Sequence, residues 1–178
     1  GTPTGAEYAS NTLRPRVKGL LERRRNNSSS SWCRGGGTFA ESAPTSEAMR
    51  SMQSEHSGVV LITQDGKASS PLLGIFTERD ILLRVINRGR NPAETPLKEV
   101  MSAEPEFLQS DARVAGVLNM MSVGGFRHVP VVNVRGCPVA VISVRDVVEF
   151  LVEAFPNEIL NLPPNKYLPS RHILTNPF

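Results

Sequence analysis

The chain has 178 residues, of which 39% are hydrophobic and 21% charged, a composition typical of one compact domain or two small ones. No apolar run reaches the ~20 residues that a membrane-spanning helix needs. The net charge of +3 is unevenly distributed, because residues 1–37 carry seven Lys and Arg against two Glu while the rest of the chain carries a net −2. The charge balance therefore argues against a basic nucleic-acid-binding domain in the folded part.

Residues 1–37 are predicted to be a flexible, basic, low-complexity tail, because "RRRNNSSSSWCRGGG" contains almost nothing to bury. An opening rich in Arg and Ser and poor in acids is also typical of an organelle transit peptide, and that alternative stays open. The cysteines, Cys33 and Cys137, form no CxxC motif, which favours a reduced intracellular compartment, and we expect the cytoplasm.

Residues 38–96 are predicted to form a β-α-β-β-α unit. An apolar helical face in "TSEAMRSM" is followed by the strand "VVLI", a turn and the strand "LLGIF". The unit closes with a helix whose buried stripe is predicted to consist of Ile81, Leu82, Val85 and Ile86.

Residues 97–155 repeat this order, with an apolar helical face, the strand "VPVV", a turn and the strand "VAVI". The closing helix is predicted to bury a stripe that matches the first copy position for position, namely Val147, Val148, Leu151 and Val152. Residues 156–178 contain five prolines and are predicted to form an extended arm.

Each unit is too small to bury a good core alone, and packing the two sheets against each other removes that difficulty. The sequence therefore predicts an α+β fold. It consists of two β-α-β-β-α repeats related by a pseudo-two-fold axis, with their sheets packed together.

The junction between the second strand and the final helix carries charge in both copies. "GIFTERD" ends at Asp80 and "AVISVRD" ends at Asp146, 66 positions later. Local physics favours a capping box, in which Thr77 or Ser143 caps the helix and the aspartate reaches back to the backbone. Alternatively, a hydroxyl, an arginine and a carboxylate at a helix N-terminus suit the ribose and phosphates of a nucleotide. The two interpretations are compatible.

These junctions, together with "FRHVPVVNVRGCPVAVISVRD" and "LKEVM", resemble the tandem CBS-domain pair, or Bateman module, in its stand-alone form. The resemblance covers roughly residues 38–155. It implies a non-catalytic regulatory module that binds AMP, ADP, ATP or S-adenosylmethionine, needs no other cofactor, and forms a disc-like homodimer.

The resemblance also implies roles for individual residues. Asp80 and Asp146 would bind ribose hydroxyls in two related clefts, and Arg127 and His128 would meet phosphates. A strand around Phe107 would offer backbone groups and an apolar face to adenine. The junction residues that would contact ribose or phosphate, or lie near them, are Thr77, Arg79, Ser143 and Arg145.

Three departures from the family pattern bear on the two clefts. Gly58 and Val59 stand where the second copy has Arg127 and His128, and Ala140 stands where the first copy has a glycine. In addition, "VKGLL" in the tail resembles "LKEVM" but is followed by a gap about eleven residues longer, which we expect at the adenine edge of the first cleft.

Other functions are less well supported by the sequence. There is no GxxxxGK[ST], HExxH or GxSxG motif, and no catalytic or metal-ligating residues are predicted. Nucleic-acid binding would have to use the Arg23-Arg24-Arg25 cluster of the tail. A ligand-free dimeric scaffold that docks to another protein stays open as the main alternative to nucleotide binding.

Overall fold

A computed structural model of the chain describes residues 16–19, 21–22 and 37–154. The predicted arm at 156–178 and most of the predicted tail, including Cys33, lie outside these residues. In chain order the elements are β1 (Thr38–Ala40), α1 (Thr45–Ser54), β2 (Val59–Thr63), β3 (Leu72–Thr77), α2 (Glu78–Asp80, continued by a π-helix at Ile81–Ile86), a 3₁₀ turn (Leu97–Glu99), β4 (Ser102–Ala103), β5 (Leu108–Gln109), α3 (Val114–Val123), β6 (His128–Val132), β7 (Pro138–Ser143) and α4 (Val144–Ala154).

The two halves have the same β-α-β-β-α order, which confirms the predicted α+β fold of two repeats. In the first sheet the order is β1-β2-β3-β4, with β1 parallel to β2 and the other pairs antiparallel. The second sheet has the order β5-β6-β7, with β5 parallel to β6 and β7 antiparallel to it. None of the described helices is long and apolar enough to cross a membrane.

The sheets pack face to face between two layers of helices. All five residues of β2 are buried, because both faces of the strand are covered. Val60 and Ile62 lie in the core of the first half, on the side of α1 and α2. Alternate positions on the other face, Val59 and Leu61, form an apolar cluster that includes Val141 of β7. The predicted packing of the two sheets is therefore confirmed.

The segment that precedes each half packs on the opposite half. Leu97 follows the first half and is fully buried in its core, where its amide donates a 2.9 Å hydrogen bond to Ala43 O. Val17 precedes the first half but is fully buried in the core of the second, where its amide donates a 2.8 Å bond to Ala112 O. Ala43 and Ala112 hold the same position in the two repeats, so the two docked segments are pseudo-symmetric.

This arrangement bears on two expectations about the start of the chain. Residues 1–37 do not form a tail that is solvated throughout, because Val17 belongs to a hydrophobic core. The described part of "VKGLL" also bonds to the second half, through the amides of Val17 and Lys18. The longer gap after it lies outside the described residues. The segment that lies beside β3 of the first half is the one after Leu97, since β4 pairs with β3.

The predicted stripes of the two final helices are wrong in part. Leu82 and Ile86 are 58% and 62% exposed, and Val148 and Val152 are 52% and 42% exposed. The buried residues on these helices are Val85 in the first half and Asp146, Val147 and Phe150 in the second, together with Asp80 in the first turn of α2. Each final helix is apolar on two sides, of which only one faces the core.

The final helix of the first half also differs in its winding. Residues Ile81–Ile86 form a π-helix, and the amides of Asn87 and Arg90 each donate to the carbonyl five residues earlier. The wider turn accommodates one extra residue, so the buried Val85 comes five residues after Asp80. In α4 the corresponding buried Phe150 comes four residues after Asp146.

Candidate functional site

The first junction joins β3 to α2 through a network on one carboxylate. The Thr77 amide and hydroxyl donate to Asp80 Oδ2 at 2.9 and 2.7 Å, as part of a capping box. Asp80 is only 8% exposed, because Val85 and the rest of the first core lie directly behind the helix. The predicted capping role of this aspartate is confirmed, and its carboxylate sits at the inner edge of the helix.

The second junction has the same design. The Ser143 amide donates to Asp146 Oδ2 at 2.5 Å, and Asp146 is 7% exposed. The amides of the residues after Thr77 and Ser143 also make equivalent hydrogen bonds. Glu78 N donates to Gly58 O at 3.2 Å, and Val144 N donates to Arg127 O at 3.1 Å. Two buried carboxylates are therefore held in equivalent positions by equivalent local structure.

Both junction hydroxyls lie on the sheet faces that meet between the halves. Thr77 is paired with Val59, and Val59 belongs to the cluster between the sheets. Ser143 lies two residues after Val141 of the same cluster and is paired with His128. Because alternate residues of a strand share a face, both hydroxyls point to the same interlayer space.

The basic pair Arg127 and His128 lies at the start of β6, beside the second junction. Arg127 is exposed, and His128 is half-buried and paired with Ser143. Burial lowers the pKa of His128 below its ordinary value of 6.5; the Glu78 carboxylate opposes this shift, and Arg127 adds to it. Glu78 belongs to the first half, so charges from both repeats act on this histidine.

The remaining predicted site residues are more peripheral. Arg79 and Arg145 are exposed on the first turns of α2 and α4. Phe107 is 48% exposed and lies between β4 and β5 rather than in the strand predicted there. It immediately precedes β5, the edge strand of the second sheet.

Sequence reasoning missed Arg84. Its Nε lies 3.3 Å from Asp80 Oδ1, and its Nη1 donates to the carbonyl oxygens of Val100, at 3.2 Å, and Met101. An Asp followed four residues later by an Arg is a recognisable helical ion-pair spacing, and this was the available signal. The additional bonds to two carbonyls depend on the tertiary fold.

Two open grooves lie on the first half, and neither is lined by Asp80 or Asp146. One cavity of about 360 Å³ is lined by Arg84, Arg88, Arg90 and Glu99. A second, of about 550 Å³, lies between α1 and the first junction, where Glu78 and Ile81 line it. Over residues 16–19, 21–22 and 37–154, no cluster of three His, Cys, Asp or Glu side chains is arranged to hold a metal ion.

Comparison with known proteins identifies the class that this fold and these junctions define. The family of the CBS domain matches residues 38–87 and 97–153, so the chain belongs to the CBS domain family as a tandem pair. It is 36% identical over 117 residues to the CBS domain-containing protein CBSCBSPB5 of Arabidopsis thaliana, a match that covers 66% of this chain and 20% of that protein. The chain thus spans about a fifth of the length of such relatives.

Two further comparisons concern one relative and one solved structure. The mitochondrial CBS domain-containing protein CBSX3 of Arabidopsis thaliana is 28% identical over 124 residues, covering 68% of this chain and 58% of that protein. The CBS domain protein PAE2072 from Pyrobaculum aerophilum, solved in complex with AMP, superposes with a TM-score of 0.62 at 22% identity, covering 80% of this chain and 99% of that one. The second comparison supports the fold of the CBS pair.

Proposed function

We propose that this chain is a non-catalytic regulatory module that binds an adenosine-containing nucleotide in the clefts between its two CBS repeats. The observation that carries the proposal is the duplicated junction, in which Asp80 and Asp146 are buried at the inner edge of each final helix. The AMP complex of the structurally similar Pyrobaculum aerophilum protein supports the choice of ligand class.

The chemistry of the junctions fits a nucleoside. In each half Oδ2 of the aspartate serves the helix cap, and a carboxylate has lone pairs for further hydrogen bonds, such as those from vicinal ribose hydroxyls. Thr77 and Ser143 face the same interlayer space. The Thr77 hydroxyl donates its proton to Asp80 and can accept a hydrogen bond from a ribose hydroxyl, while the Ser143 hydroxyl can bond to ribose or phosphate oxygens. Arg127 and His128 lie beside the second junction, because His128 pairs with Ser143 and the Val144 amide donates to Arg127 O, and their side chains suit a phosphate.

Ligand-induced stabilisation tests this proposal. A ligand that binds only the folded chain stabilises it by about 2.7 kcal/mol at one hundred times its Kd. We expect the melting temperature to rise with at least one of AMP, ADP, ATP and S-adenosylmethionine, and the rise to be absent in the double variant Asp80→Asn/Asp146→Asn. Glu94→Gln, which alters an exposed carboxylate far along the chain from both junctions, is the matched control and should keep the full shift.

A different outcome would favour another function. If millimolar concentrations of all four compounds leave the melting temperature unchanged, the nucleotide proposal is refuted and the ligand-free scaffold replaces it. If the double variant keeps the full shift, the ligand binds elsewhere, and the aspartates serve only as helix caps.

We also propose that the module works as a homodimer through the outer faces of its two final helices. α2 with its π-helix exposes Leu82 and Ile86, and α4 exposes Val148 and Val152. These apolar stripes are duplicated by the pseudo-two-fold axis, so a second copy can present the same pair of stripes to them. On both helices these exposed aliphatic side chains lie among exposed charged ones.

Sedimentation velocity tests the dimer. We expect the wild type to sediment as a dimer, and both Leu82→Glu/Ile86→Glu and Val148→Glu/Val152→Glu to sediment as monomers that keep their fold. Val123→Glu/Val134→Glu is the control, because these valines are 80% and 88% exposed but lie outside the stripes. A wild-type monomer, or a dimer that survives both double substitutions, would contradict the proposal.

A further inference from the structure

Arg84 already occupies the groups at the first junction that a nucleoside would use. Its guanidinium lies 3.3 Å from Asp80 Oδ1, the carboxylate oxygen that does not serve the cap. The same guanidinium donates to the Val100 and Met101 carbonyls at the entry to β4, which runs along the cleft. Both oxygens of Asp80 thus have partners within the chain.

The helix that carries this contact is wound differently from its counterpart in the second half. The π-helix adds one residue between Asp80 and the buried Val85, and Arg84 is the residue immediately before Val85. Counting back from the buried Phe150 in α4 gives Glu149 as the equivalent position, so the charge is opposite in the two halves. π-Helical turns occur frequently at functional sites, and this one directs a cation at the ribose-binding carboxylate.

A displaced guanidinium has space to move into. The Arg84 side chain is 44% exposed and lines the cavity of about 360 Å³ together with Arg88, Arg90 and Glu99. Glu99 already pairs with Arg90 at 2.5 Å, and a carboxylate can accept hydrogen bonds from two guanidinium groups. Arg84 can therefore leave Asp80 without losing every anionic partner.

We propose that Arg84 is a built-in competitor for ribose, so that the cleft carrying Asp80 binds an adenosine ligand only when Arg84 is displaced. The inference rests on the proposed nucleotide-binding function and adds to it the residue that sets the affinity of one cleft. Removing Arg84 should tighten binding at this cleft about tenfold, which is the effect of no longer breaking one charge-assisted hydrogen bond for each ligand bound.

Calorimetric titration with adenosine tests this, because adenosine carries the ribose but no phosphate that Arg84 could attract. The titration is made in the Asp146→Asn background, so that only the cleft carrying Asp80 is read out. We expect Arg84→Met to lower the Kd about tenfold relative to that background. The control Arg135→Met removes the same charge from an exposed turn and should change the Kd less than about twofold.

Arg84 also ties the helix to β4, so Arg84→Met could unfold the first half. In that case the Arg84 Nε–H resonance of the folded Asp146→Asn protein is followed during titration. We expect this resonance to shift with adenosine as the contact with Asp80 is lost.

The possible results separate a failure of the role proposed for Arg84 from a failure of the nucleotide-binding proposal. A Kd that Arg84→Met leaves unchanged or raises, or an Nε–H resonance that does not respond to bound adenosine, overturns the role of Arg84 while leaving nucleotide binding intact. If the wild type binds none of the nucleotides, the proposed function fails first, and this inference fails with it.

Discussion

Replacing Val17 with Ala tests whether the segment before the first repeat belongs to the fold. Val17 is fully buried among residues of the second half, including Val129 and Phe150. The substitution removes two methyl groups, and burying each of them contributes about 0.8 kcal/mol of transfer free energy to stability. With the cavity that remains, the expected loss of unfolding free energy is about 2 kcal/mol.

Thermal unfolding monitored by circular dichroism measures this loss. For a chain of this size, about 2 kcal/mol corresponds to a fall in melting temperature of roughly 4–8 °C. Val129→Ala, in the same cluster but on β6, should cost a similar amount. Val123→Ala, at a position 80% exposed, should change the unfolding free energy by less than about 0.5 kcal/mol.

Comparing the unfolding free energies of the three variants tests whether Val17 is buried in the second half. If Val17→Ala behaves like Val123→Ala while Val129→Ala is destabilised, the segment at 16–22 does not dock, and the reasoning from burial is refuted. The result also affects how a role for the basic tail is tested. A deletion of residues 1–37 would remove Val17 from the core, so replacing Arg23, Arg24 and Arg25 with Ser is the cleaner experiment.

Two further predictions concern the junctions. Gly74→Ala should destabilise the chain by about 1–3 kcal/mol in urea unfolding, because its Cβ would lie 2.4 Å from Met101 Sδ and 3.2 Å from Ser102 O. Gly116→Ala, whose Cβ would make ordinary contacts at 3.5 Å, should be neutral or stabilising, and equal effects would contradict this argument. The pKa of His128 is lowered on folding, so the unfolded chain takes up the proton first, and stability should fall as the pH drops below 6.5. His128→Gln should flatten this part of the urea-midpoint profile between about pH 7.5 and about pH 5.5, and an unchanged slope would show that other groups cause it.

Much of the fold could be predicted from the sequence because the patterns that specify the strands, helices and caps are local and occur twice. Short apolar runs followed by turn residues predicted β2 and β6, and the recurrence of Thr77–Asp80 as Ser143–Asp146 predicted two equivalent junctions. The caps also followed from the sequence, since a Thr or Ser three residues before an Asp needs only its own backbone to form them.

The errors concern residues whose roles depend on distant partners. Helical periodicity identified Leu82 and Val148 as apolar positions, yet it does not distinguish a face that packs on the core from one left exposed. "VKGLL" resembled "LKEVM", but only the fold placed Val17 in the half that is remote in sequence. In both cases the correct prediction requires knowing which other part of the chain packs against the segment. Periodicity along a single helix carries no information about that packing partner.

The sequence by itself determined two repeats, their strands and helices, and the residues that cap each final helix. The tertiary structure decided that Arg84 lies against Asp80 and against the carbonyls of Val100 and Met101. The physical reason is that a capping box is closed within four consecutive residues. The bonds of Arg84 to the carbonyls instead depend on the fold bringing Val100 and Met101, sixteen and seventeen positions later in the chain, beside the helix.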